Sequence, residues 1–504
     1  MRRLILTLLL ATAWTTSACD TKIVGTDNAL IDLTPGPQTG TVSSSTTPNK
    51  ADGTTTDPAV TDPTGDAGSA ADALAYLEDV RSDLGLPALT QSPLLTSASQ
   101  AHANYLVTNH AYHDAHGLSP HVEVPELQGF TGESGAKRSA AAGYTWQHAG
   151  EVIGYHGTPE GTMVAWMESL YHRLPLIRRE VKEIGLGVAG DLAYHAHVVE
   201  VGAEPGAYVN SGKLLAYPAD GAVDVPTEWS GREVPEPTPP PAGWPSGPVL
   251  TVTADRGTVT VVSSSVRVAA SGAELPHTLL TSANDSHLQA RDVALIPHAP
   301  LAPATAYVAT ISGLRDGATY TFSWTFTTRA AGCAVDADDC GPGRACYPLN
   351  GTLTCLYKGS ATLGEACQYV DDCGGGLTCL GGQCRELCAS GACDASCAGE
   401  SKVPSSVSGV QVCLGPACTA SSCGAGEGCY WLSGLACSQA GTVPRGGSCT
   451  YADDCQAGST CLSAGGAPAT CQALCDGAGM PACDNVCAST AFTLDAKSQL
   501  KACP

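Results

Sequence analysis

The chain of 504 residues has little positive charge, only 4 phenylalanines and no long apolar run beyond its N-terminus. Its 25 Lys and Arg residues face 48 Asp and Glu residues, so the formal net charge is −23. Such a charge repels nucleic-acid phosphates, and nucleic acid is therefore not an expected partner. No later run approaches the ~20 apolar residues that cross a bilayer as a helix, so we expect no transmembrane segment. The length predicts three or four domains.

Cysteine is almost absent from the first two thirds of the chain, where Cys19 is the only one before residue 333. The preceding residues 1–18 read as a signal peptide, with a basic start, an apolar run and then small residues. The stretch Thr16-Ser17-Ala18-Cys19 resembles a bacterial lipobox, although Thr16 departs from the usual aliphatic residue. The alternative is an ordinary signal peptide with an incidental cysteine. We expect an exported protein that is anchored to a membrane through a lipid on Cys19.

Hydrophobic periodicity is absent from residues 19–70, which are rich in Thr, Ser, Pro, Asp and Gly and are predicted to be a disordered tether. Helical periodicity begins near Ala71. A second helix is predicted from the N-cap Ser92, with Leu94 on its apolar face. A third is predicted over residues 159–171, and a β-type run covers residues 192–201. Together they predict an α+β domain.

Several short motifs between Arg81 and Val201 resemble the bacterial form of the CAP superfamily, the cysteine-rich secretory, antigen 5 and pathogenesis-related proteins. The motifs are Arg81 with Gly85-Leu86-Pro87-Ala88-Leu89, Gln100-Ala101-His102-Ala103, Gly129-Phe130-Thr131-Gly132, Arg138 with Ala142-Gly143-Tyr144, Gly150-Glu151, Trp166 with Ser169, His172 and Arg173, and Ile184-Gly185-Leu186-Gly187. Their order and spacing carry the resemblance over about a quarter of the chain. It implies a three-layer αβα sandwich with a central groove that gathers two histidines and acidic side chains.

The resemblance also implies which residues line that groove. His172 matches the second histidine, Glu151 matches a carboxylate, and His121 best fits the first histidine, although His110, His113 and His116 crowd the same segment. Val152 stands where the family has asparagine, and the second carboxylate falls near Glu168 or Ser169. His121, Glu151 and His172 would suit a divalent metal such as zinc. The alternative is that these groups only hydrogen-bond one another and brace the groove.

Histidines are concentrated in this domain, which holds ten of the 13 in the chain. His195 and His197 alternate onto one face of the last predicted strand. Imidazole is the commonest protein metal ligand, but single histidines such as His156 are more often solvated loop residues. Gly-x-Ser-x-Gly and His-Glu-x-x-His motifs are absent, which weakens an enzymatic interpretation.

Two further regions follow the predicted CAP-like domain. Residues 203–248 include a proline-rich run at 235–241 and are predicted to be a linker. From Val249, short β-branched runs recur up to Thr328, as in an all-β sandwich, and Leu301 to Tyr307 and Trp324 to Thr328 resemble bacterial Ig-like modules.

The remaining 24 cysteines all lie between Cys333 and Cys503 and are spaced as two copies of twelve. Seven of the eleven gaps are identical in the two copies, and Asp371-Asp372-Cys373 recurs as Asp453-Asp454-Cys455. In an exported protein such cysteines are expected to form disulfides, six in each copy. Zinc binding is the alternative, although no histidine lies among them.

The sequence therefore predicts a multidomain chain. Its predicted parts are a lipoprotein signal peptide (1–18), a tether (19–70), a CAP-like domain (71–202), a linker (203–248), an Ig-like sandwich (249–329) and two cysteine-rich repeats (333–413 and 418–503). We expect a lipid-anchored protein of the cell envelope or outer surface. Its CAP-like domain would bind a small hydrophobic ligand or an envelope partner without catalysis, with Glu168 and Ser169 beside the three groove residues. The alternative is a metal-dependent hydrolase or peptidase.

Overall fold

The computed structural model describes most of the chain after residue 66. The described residues are 67–475, except 191–193, 205–211, 336, 338, 381, 390–401, 406, 414–422, 424–425, 432–434, 451–453 and 463–468, and then 492–495 and 500–503. The predicted signal peptide, the lipidation site Cys19 and almost all of the predicted tether lie outside these residues.

In its described residues, the first region combines five helices with a four-stranded sheet. Its elements are α1 (Ala67–Asp83), β1 (Thr90–Gln91), α2 (Pro93–His116), α3 (Gly135–Ala141), β2 (Gln147–Gly154), α4 (Pro159–Glu168), α5 (Arg173–Leu176), β3 (Val181–Gly190) and β4 (His195–Ala203). The strand order is β1-β3-β4-β2, and β4 pairs antiparallel with both of its neighbours. Both faces of this sheet are covered. Neighbouring residues Val198 and Val199 of β4 belong to different hydrophobic clusters, one shared with α2 and the other with α1 and α4.

Glycines let α2 approach the sheet closely. A Cβ atom at Gly185 would lie 2.1 Å from the Thr96 nitrogen, and one at Gly187 would lie 2.2 Å from the Ser99 carbonyl carbon. Ser99 donates to the Gly185 carbonyl oxygen at 2.9 Å and accepts from the backbone N–H of Glu200. Ser92 is the N-cap of α2 as predicted, but Leu94 is 42% exposed, and the buried face begins instead at Leu95.

The second region is made of two facing sheets. Its strands are β5 (Leu214–Tyr217), β6 (Ala222–Val225), β7 (Leu250–Ala254), β8 (Val259–Val268), β9 (Glu274–Leu275), β10 (His277–Thr281), β11 (Asp292–Pro297), β12 (Ala306–Arg315) and β13 (Ala318–Thr328). The sheet orders are β10-β11-β7-β5 and β6-β13-β12-β8-β9. One cluster, which includes Leu250, Val266 and Trp324, joins strands of both sheets.

Two of these strands lie inside the segment that the sequence analysis interprets as a linker. β5 pairs with β7, and β6 pairs in parallel with β13, so residues 214–225 complete the two sheets. Later in the same segment, Trp229 and Ser246 exchange two backbone hydrogen bonds of 3.0 Å. Each strand is only four residues long and contains few β-branched residues, so the sequence pattern did not distinguish them from the surrounding prolines and glycines.

The cysteine-rich region consists of small hairpins and sheets. Its strands are β14 (Arg344–Leu349), β15 (Thr352–Tyr357), β16 (Leu377–Leu380), β17 (Gln383–Ala389), β18 (Lys402–Pro404), β19 (Val410–Cys413), β20 (Glu427–Trp431), β21 (Leu435–Gln439), β22 (Ser459–Leu462), β23 (Thr470–Cys475), β24 (Phe492–Asp495) and β25 (Leu500–Cys503), with a short 3₁₀ turn at Val370–Asp372. Its sheets are β14-β15, β16-β17-β19-β18, β20-β21 and β22-β23-β25-β24.

Disulfides hold these strands, which confirms that prediction for the described cysteines. The bonds are Cys333–Cys346, Cys340–Cys355, Cys367–Cys379, Cys373–Cys384, Cys423–Cys437, Cys449–Cys461 and Cys455–Cys471. Three groups of three cysteine sulfurs lie within 4.8 Å of one another, but all nine are in these disulfides. Within the described residues, no helix is long and apolar enough to cross a membrane.

Candidate functional site

A network of charged and histidine side chains is buried between the sheet and the helices α2 and α3. We call it the ionic network. Its members are His102 on α2, His121 and Glu123 in the following loop, Arg138 on α3, His148 and Glu151 on β2, and Glu200 on β4.

Arg138 is the centre of the ionic network and is almost fully buried. Its Nη2 donates to Glu151 Oε2, and its Nε lies 3.9 Å from an oxygen of both Glu123 and Glu200. Its remaining donors reach the carbonyl oxygens of Gly132, at 3.1 Å, and His121. A single guanidinium therefore holds three carboxyl groups together in a region from which water is largely excluded.

Glu123 lies at one side of the network and is surrounded by donors. His102 Nδ1 donates to it at 2.8 Å, and the backbone N–H groups of Thr131 and Gly132 donate at 2.5 and 3.1 Å. Burial alone would raise the pKa of Glu123, but these hydrogen bonds outweigh burial and lower it. His102 Nε2 donates to the Pro120 carbonyl oxygen at 2.9 Å, so both of its nitrogens brace the loop.

Glu151 and Glu200 lie directly opposite each other on β2 and β4, and their side chains are hydrogen-bonded. Burial and the neighbouring Glu151 carboxylate raise the pKa of Glu200 to about 11. Burial also opposes ionisation of Glu151, but hydrogen bonds from His121 and Glu200 and the charge of Arg138 lower its pKa well below the usual range. At neutral pH the pair therefore holds one proton, on Glu200. His148 Nε2 contacts the second oxygen of Glu200.

His121 is the most exposed imidazole of this network, with 41% of its side chain accessible. Its Nδ1 donates to Glu151 Oε1 at 2.7 Å, so the structure brings together the first two of the three residues predicted to line the groove. The ring lies at the surface, while Glu151 and Arg138 lie below it.

His172, the third predicted residue, has a different carboxylate partner. Its Nδ1 donates to Glu233 Oε1 at 2.8 Å, and Glu233 also accepts from the backbone N–H groups of residues 170, 171 and 172 at 2.6 to 2.9 Å. Glu233 lies in the segment predicted to be a linker, and it is buried. His172 is thus held at the boundary with the β-sandwich.

The predicted metal set of His121, Glu151 and His172 is not assembled. Within the described part of the chain, the groups of three or more potential ligand atoms that lie within 4.8 Å of one another consist only of cysteines. Glu151 is held by Arg138, and the Nδ1 atoms of the two histidines are bound to separate carboxylates, Glu151 and Glu233. The arrangement corresponds to the bracing alternative, in which the groups hydrogen-bond to protein partners.

Glu168 and Ser169 also lie elsewhere than predicted. Glu168 Oε2 accepts hydrogen bonds of 2.5 Å from Arg344 and from the Tyr357 hydroxyl, both in the first cysteine-rich segment. Ser169 is buried and donates to the Trp166 carbonyl oxygen at 2.9 Å, beyond the end of α4. Glu168 therefore links the CAP-like domain to the first cysteine-rich segment. Ser169 is the C-cap of α4.

The other histidines of this domain are mainly packing residues. His195 and His197 lie on the same face of β4 with ring centres 6.2 Å apart, and His197 Nδ1 lies 2.6 Å from the Thr162 hydroxyl. Burial lowers the pKa of His197 to about 3 and that of His156 to about 4, so both are neutral at physiological pH. His110 stacks on Tyr194 and His116 on Tyr112, while the buried His113 contacts the Tyr105 hydroxyl.

Sequence reasoning missed the roles of Arg138, His148, Glu200 and Glu233. For Glu200 a signal exists, since one carboxylate interrupts the apolar run Val198-Val199-Glu200-Val201, and a buried strand tolerates it only with a partner. Glu233 offers no such signal, because it stands among prolines and other polar residues.

Comparisons with known proteins identify the domain that carries this network. Residues 74–199 match the family described as CAP, the cysteine-rich secretory protein family. An outer surface protein from Borrelia burgdorferi aligns with 16% identity and a TM-score of 0.23, over 27% of this chain and 94% of that chain. A venom allergen-like protein 4 from Schistosoma mansoni aligns with 13% identity and a TM-score of 0.20, over 27% and 89%. No curated protein matches the chain in sequence. Residues 74–199 of this chain are therefore a CAP domain, as the sequence predicts.

Proposed function

We propose that this chain is an exported, lipid-anchored protein of the bacterial cell envelope whose CAP domain is a non-enzymatic binding module. In this proposal Cys19 carries the lipid, and residues 19–70 tether the domain away from the membrane. The β-sandwich is an Ig-like spacer, and the cysteine-rich segments are tandem repeats. The partner is a small hydrophobic ligand or a component of the cell surface. The net charge of −23 argues against nucleic acid.

The observation that carries this proposal is the position of His121 above the ionic network. The buried members are bound to one another, and a polar network whose members have partners is rigid. His121 alone presents a large part of its ring to solvent from this rigid base. A fixed, half-exposed imidazole beside the exposed Val122 is a suitable contact for a ligand or a partner protein.

The alternative function is that of a metal-dependent hydrolase or peptidase. It requires an open metal position with a nearby base, or an activated nucleophile. To form the metal set, Glu151 would have to leave Arg138, whereas His172 could bind a metal through Nε2 with its Nδ1 still on Glu233. To act as a nucleophile, Ser169 would have to leave its buried position beyond α4. These interactions favour the binding function.

Cross-linking on intact cells tests the binding function. A photo-reactive amino acid at Val122, beside His121, is expected to form a covalent adduct with the partner. The matched control is the same amino acid at Val262, which is 81% exposed on the β-sandwich and should form none. The proposal fails if Val122 gives no adduct and the purified protein instead holds one equivalent of zinc that the His121→Ala variant loses. That result would support the hydrolase.

Membrane anchoring is tested separately by fractionation. Cys19→Ala is expected to move the protein from the membrane fraction to the soluble fraction, because it removes the acyl chains. Ser43→Ala in the tether is the control and should stay at the membrane. Retention of the Cys19→Ala protein would contradict the anchor without affecting the binding function.

A further inference from the structure

Arg173, the first residue of α5, is a buried cation held by neutral partners. It is 1% exposed, and its guanidinium donates to the carbonyl oxygens of Met167 and Val249, both at 2.9 Å. It also lies over the Tyr217 ring, 4.3 Å from the ring centre, and its Nε has no hydrogen-bond partner. Arg138, Arg178 and Arg344 differ from it, since each forms an ion pair with a carboxylate, whereas the buried Arg81, which does not line the cavity described below, also donates to carbonyl oxygens. Buried charges are normally paired, so an unpaired one requires an explanation.

Arg173 lines a cavity of about 300 Å³ at the junction of the CAP domain and the β-sandwich. The wall includes Tyr76 and Val80 of α1, Tyr217 at the end of β5, Val223 of β6, and Trp229. Cavities of this kind, mostly apolar with a few polar groups and placed between domains, are typical small-molecule sites. The cavity is separate from the ionic network, and none of the seven network residues lines it.

Two carboxylates, Glu233 and Glu168, act electrostatically on Arg173, but among the described residues neither forms an ion pair with it. Glu168 is neutralised by Arg344, and Asp224 forms an ion pair with Arg329. Asp83 and Glu228 also line the cavity, but both are exposed, so water and salt screen them. Burial lowers the pKa of Arg173 to about 10, which leaves it charged at physiological pH.

We propose that this cavity binds a small aromatic carboxylate. The ring of the ligand packs among Tyr76, Tyr217 and Trp229, since offset and edge-to-face contacts between aromatic rings are favourable. The negative charge of the ligand compensates Arg173 in a region of low dielectric, where such an attraction is strong. The cavity volume suits one ring with a short side chain. This proposal does not depend on the function proposed for His121.

Calorimetric titration of the full-length protein tests the proposal with two probes of nearly the same shape. Phenylacetate carries the charge, and phenylacetamide does not. We expect phenylacetate to bind at least about tenfold more tightly, which corresponds to about 1.4 kcal/mol. Equal affinities would overturn the role of Arg173. Absence of phenylacetate binding at concentrations up to about 10 mM, or about 2.7 kcal/mol, would overturn the site.

Matched tryptophan variants locate the binding. Val223 is 74% exposed and lines the cavity, so Val223→Trp should fold normally and block the entrance. Val262→Trp places the same side chain on an exposed position outside the cavity wall. We expect the Val223→Trp variant to bind phenylacetate at least about tenfold more weakly and the Val262→Trp variant to bind normally. Equal affinities of these two variants would show that phenylacetate binds elsewhere. Arg173→Met, if it folds, should abolish the preference for the carboxylate. If Arg173→Met does not fold, the comparison of the two probes and that of the two tryptophan variants still decide the proposal.

Discussion

Glu151 on β2 lies directly opposite Glu200 on β4, and the two side chains are hydrogen-bonded. Like charges at opposite positions of neighbouring strands destabilise a sheet. The pair avoids this repulsion because Glu200 keeps its proton. Arg138 and His121 stabilise the ionised form of Glu151. Two residues of the same type therefore have different chemical states in one buried network, and single isosteric substitutions should distinguish them.

Glu200→Gln and Glu151→Gln are expected to have unequal effects on stability. Glutamine resembles a protonated glutamate, so at pH 5 Glu200→Gln should change the free energy of unfolding by less than about 1 kcal/mol. Glu151→Gln removes the ionised partner of Arg138 and His121 and should cost about 3 kcal/mol. Urea unfolding at pH 5 measures both, with the exposed Glu274→Gln as the control. Equal losses for the two network variants would contradict the assignment of the proton.

The same proton predicts the pH dependence of stability. The pKa of Glu200 is raised to about 11 in the folded protein, whereas an unfolded glutamate titrates near pH ~4.3. Between these values the folded state binds one more proton, so this group stabilises the fold at low pH and loses that contribution as pH rises. The expected slope is a loss of about 1.4 kcal/mol per pH unit. Unfolding between pH 6 and 8 should therefore show a flatter profile for Glu200→Gln than for the wild type. Parallel profiles would exclude the raised pKa.

Much of the fold follows from local patterns in the sequence. The order of short motifs over residues 81–201 predicts the CAP domain through its resemblance to the family, and the structure shows that two of the glycines in these motifs, Gly185 and Gly187, lie where α2 approaches the sheet. Cysteine spacing, with the export expected from the N-terminal sequence, predicts disulfides, but it does not predict the pairing of Cys340 with Cys355. Pairing depends on which strands become neighbours.

The site was harder to predict because its partners are distant in sequence. His121 and Glu151, 30 residues apart, do meet as the family resemblance implies. His172 does not form a close group with them, and its Nδ1 binds Glu233 of a proline-rich segment 61 residues away. The position of such a segment is determined by tertiary contacts, here the packing of Trp229 with Leu170 and Leu174 in one buried cluster, and no local pattern specifies them.

The interaction of Glu168 with the first cysteine-rich segment predicts that the CAP domain holds this segment in place and protects the connection between them from proteolysis. Arg344 and Tyr357 bind Glu168, and Lys358 binds Glu160 at 2.7 Å. Glu168→Gln should weaken this contact by about 3 kcal/mol, because it leaves Arg344 buried without its counter-charge. Limited proteolysis in the connection at residues 330–332 should become faster. The exposed Glu274→Gln serves as the control, and equal cleavage rates would show that Glu168 contributes little.

The corresponding positions in the second cysteine-rich segment support this specific role. Counted from the cysteines, Glu427, Gln439 and Ala440 replace Arg344, Tyr357 and Lys358. Residues that support the framework are retained, since Tyr347 and Tyr430 each donate to the carbonyl oxygen of an equivalent cysteine. The recognition residues therefore differ between the two segments, while the framework residues do not.

Glu233→Gln is expected to release the proline-rich segment from the CAP domain. The Glu233 carboxylate accepts three backbone N–H groups and the His172 ring, and hydrogen bonds to a charged acceptor are stronger than neutral ones. Glutamine keeps the size of the side chain but replaces one acceptor oxygen with an amino group that faces donors. We expect a loss of about 2 to 3 kcal/mol in the free energy of unfolding and faster proteolysis within residues 229–246.

The matched control for this variant is Glu236→Gln, three residues further along the same segment. Glu236 is exposed and accepts a single hydrogen bond from the Trp244 ring, so its substitution should leave both readouts nearly unchanged. If Glu233→Gln and Glu236→Gln behave alike, the carboxylate of Glu233 does not hold the segment. If only Glu233→Gln is cleaved faster, the segment is fixed by that carboxylate and by the CAP residues that bind it. His172 Nδ1 then serves in this chain to position the segment.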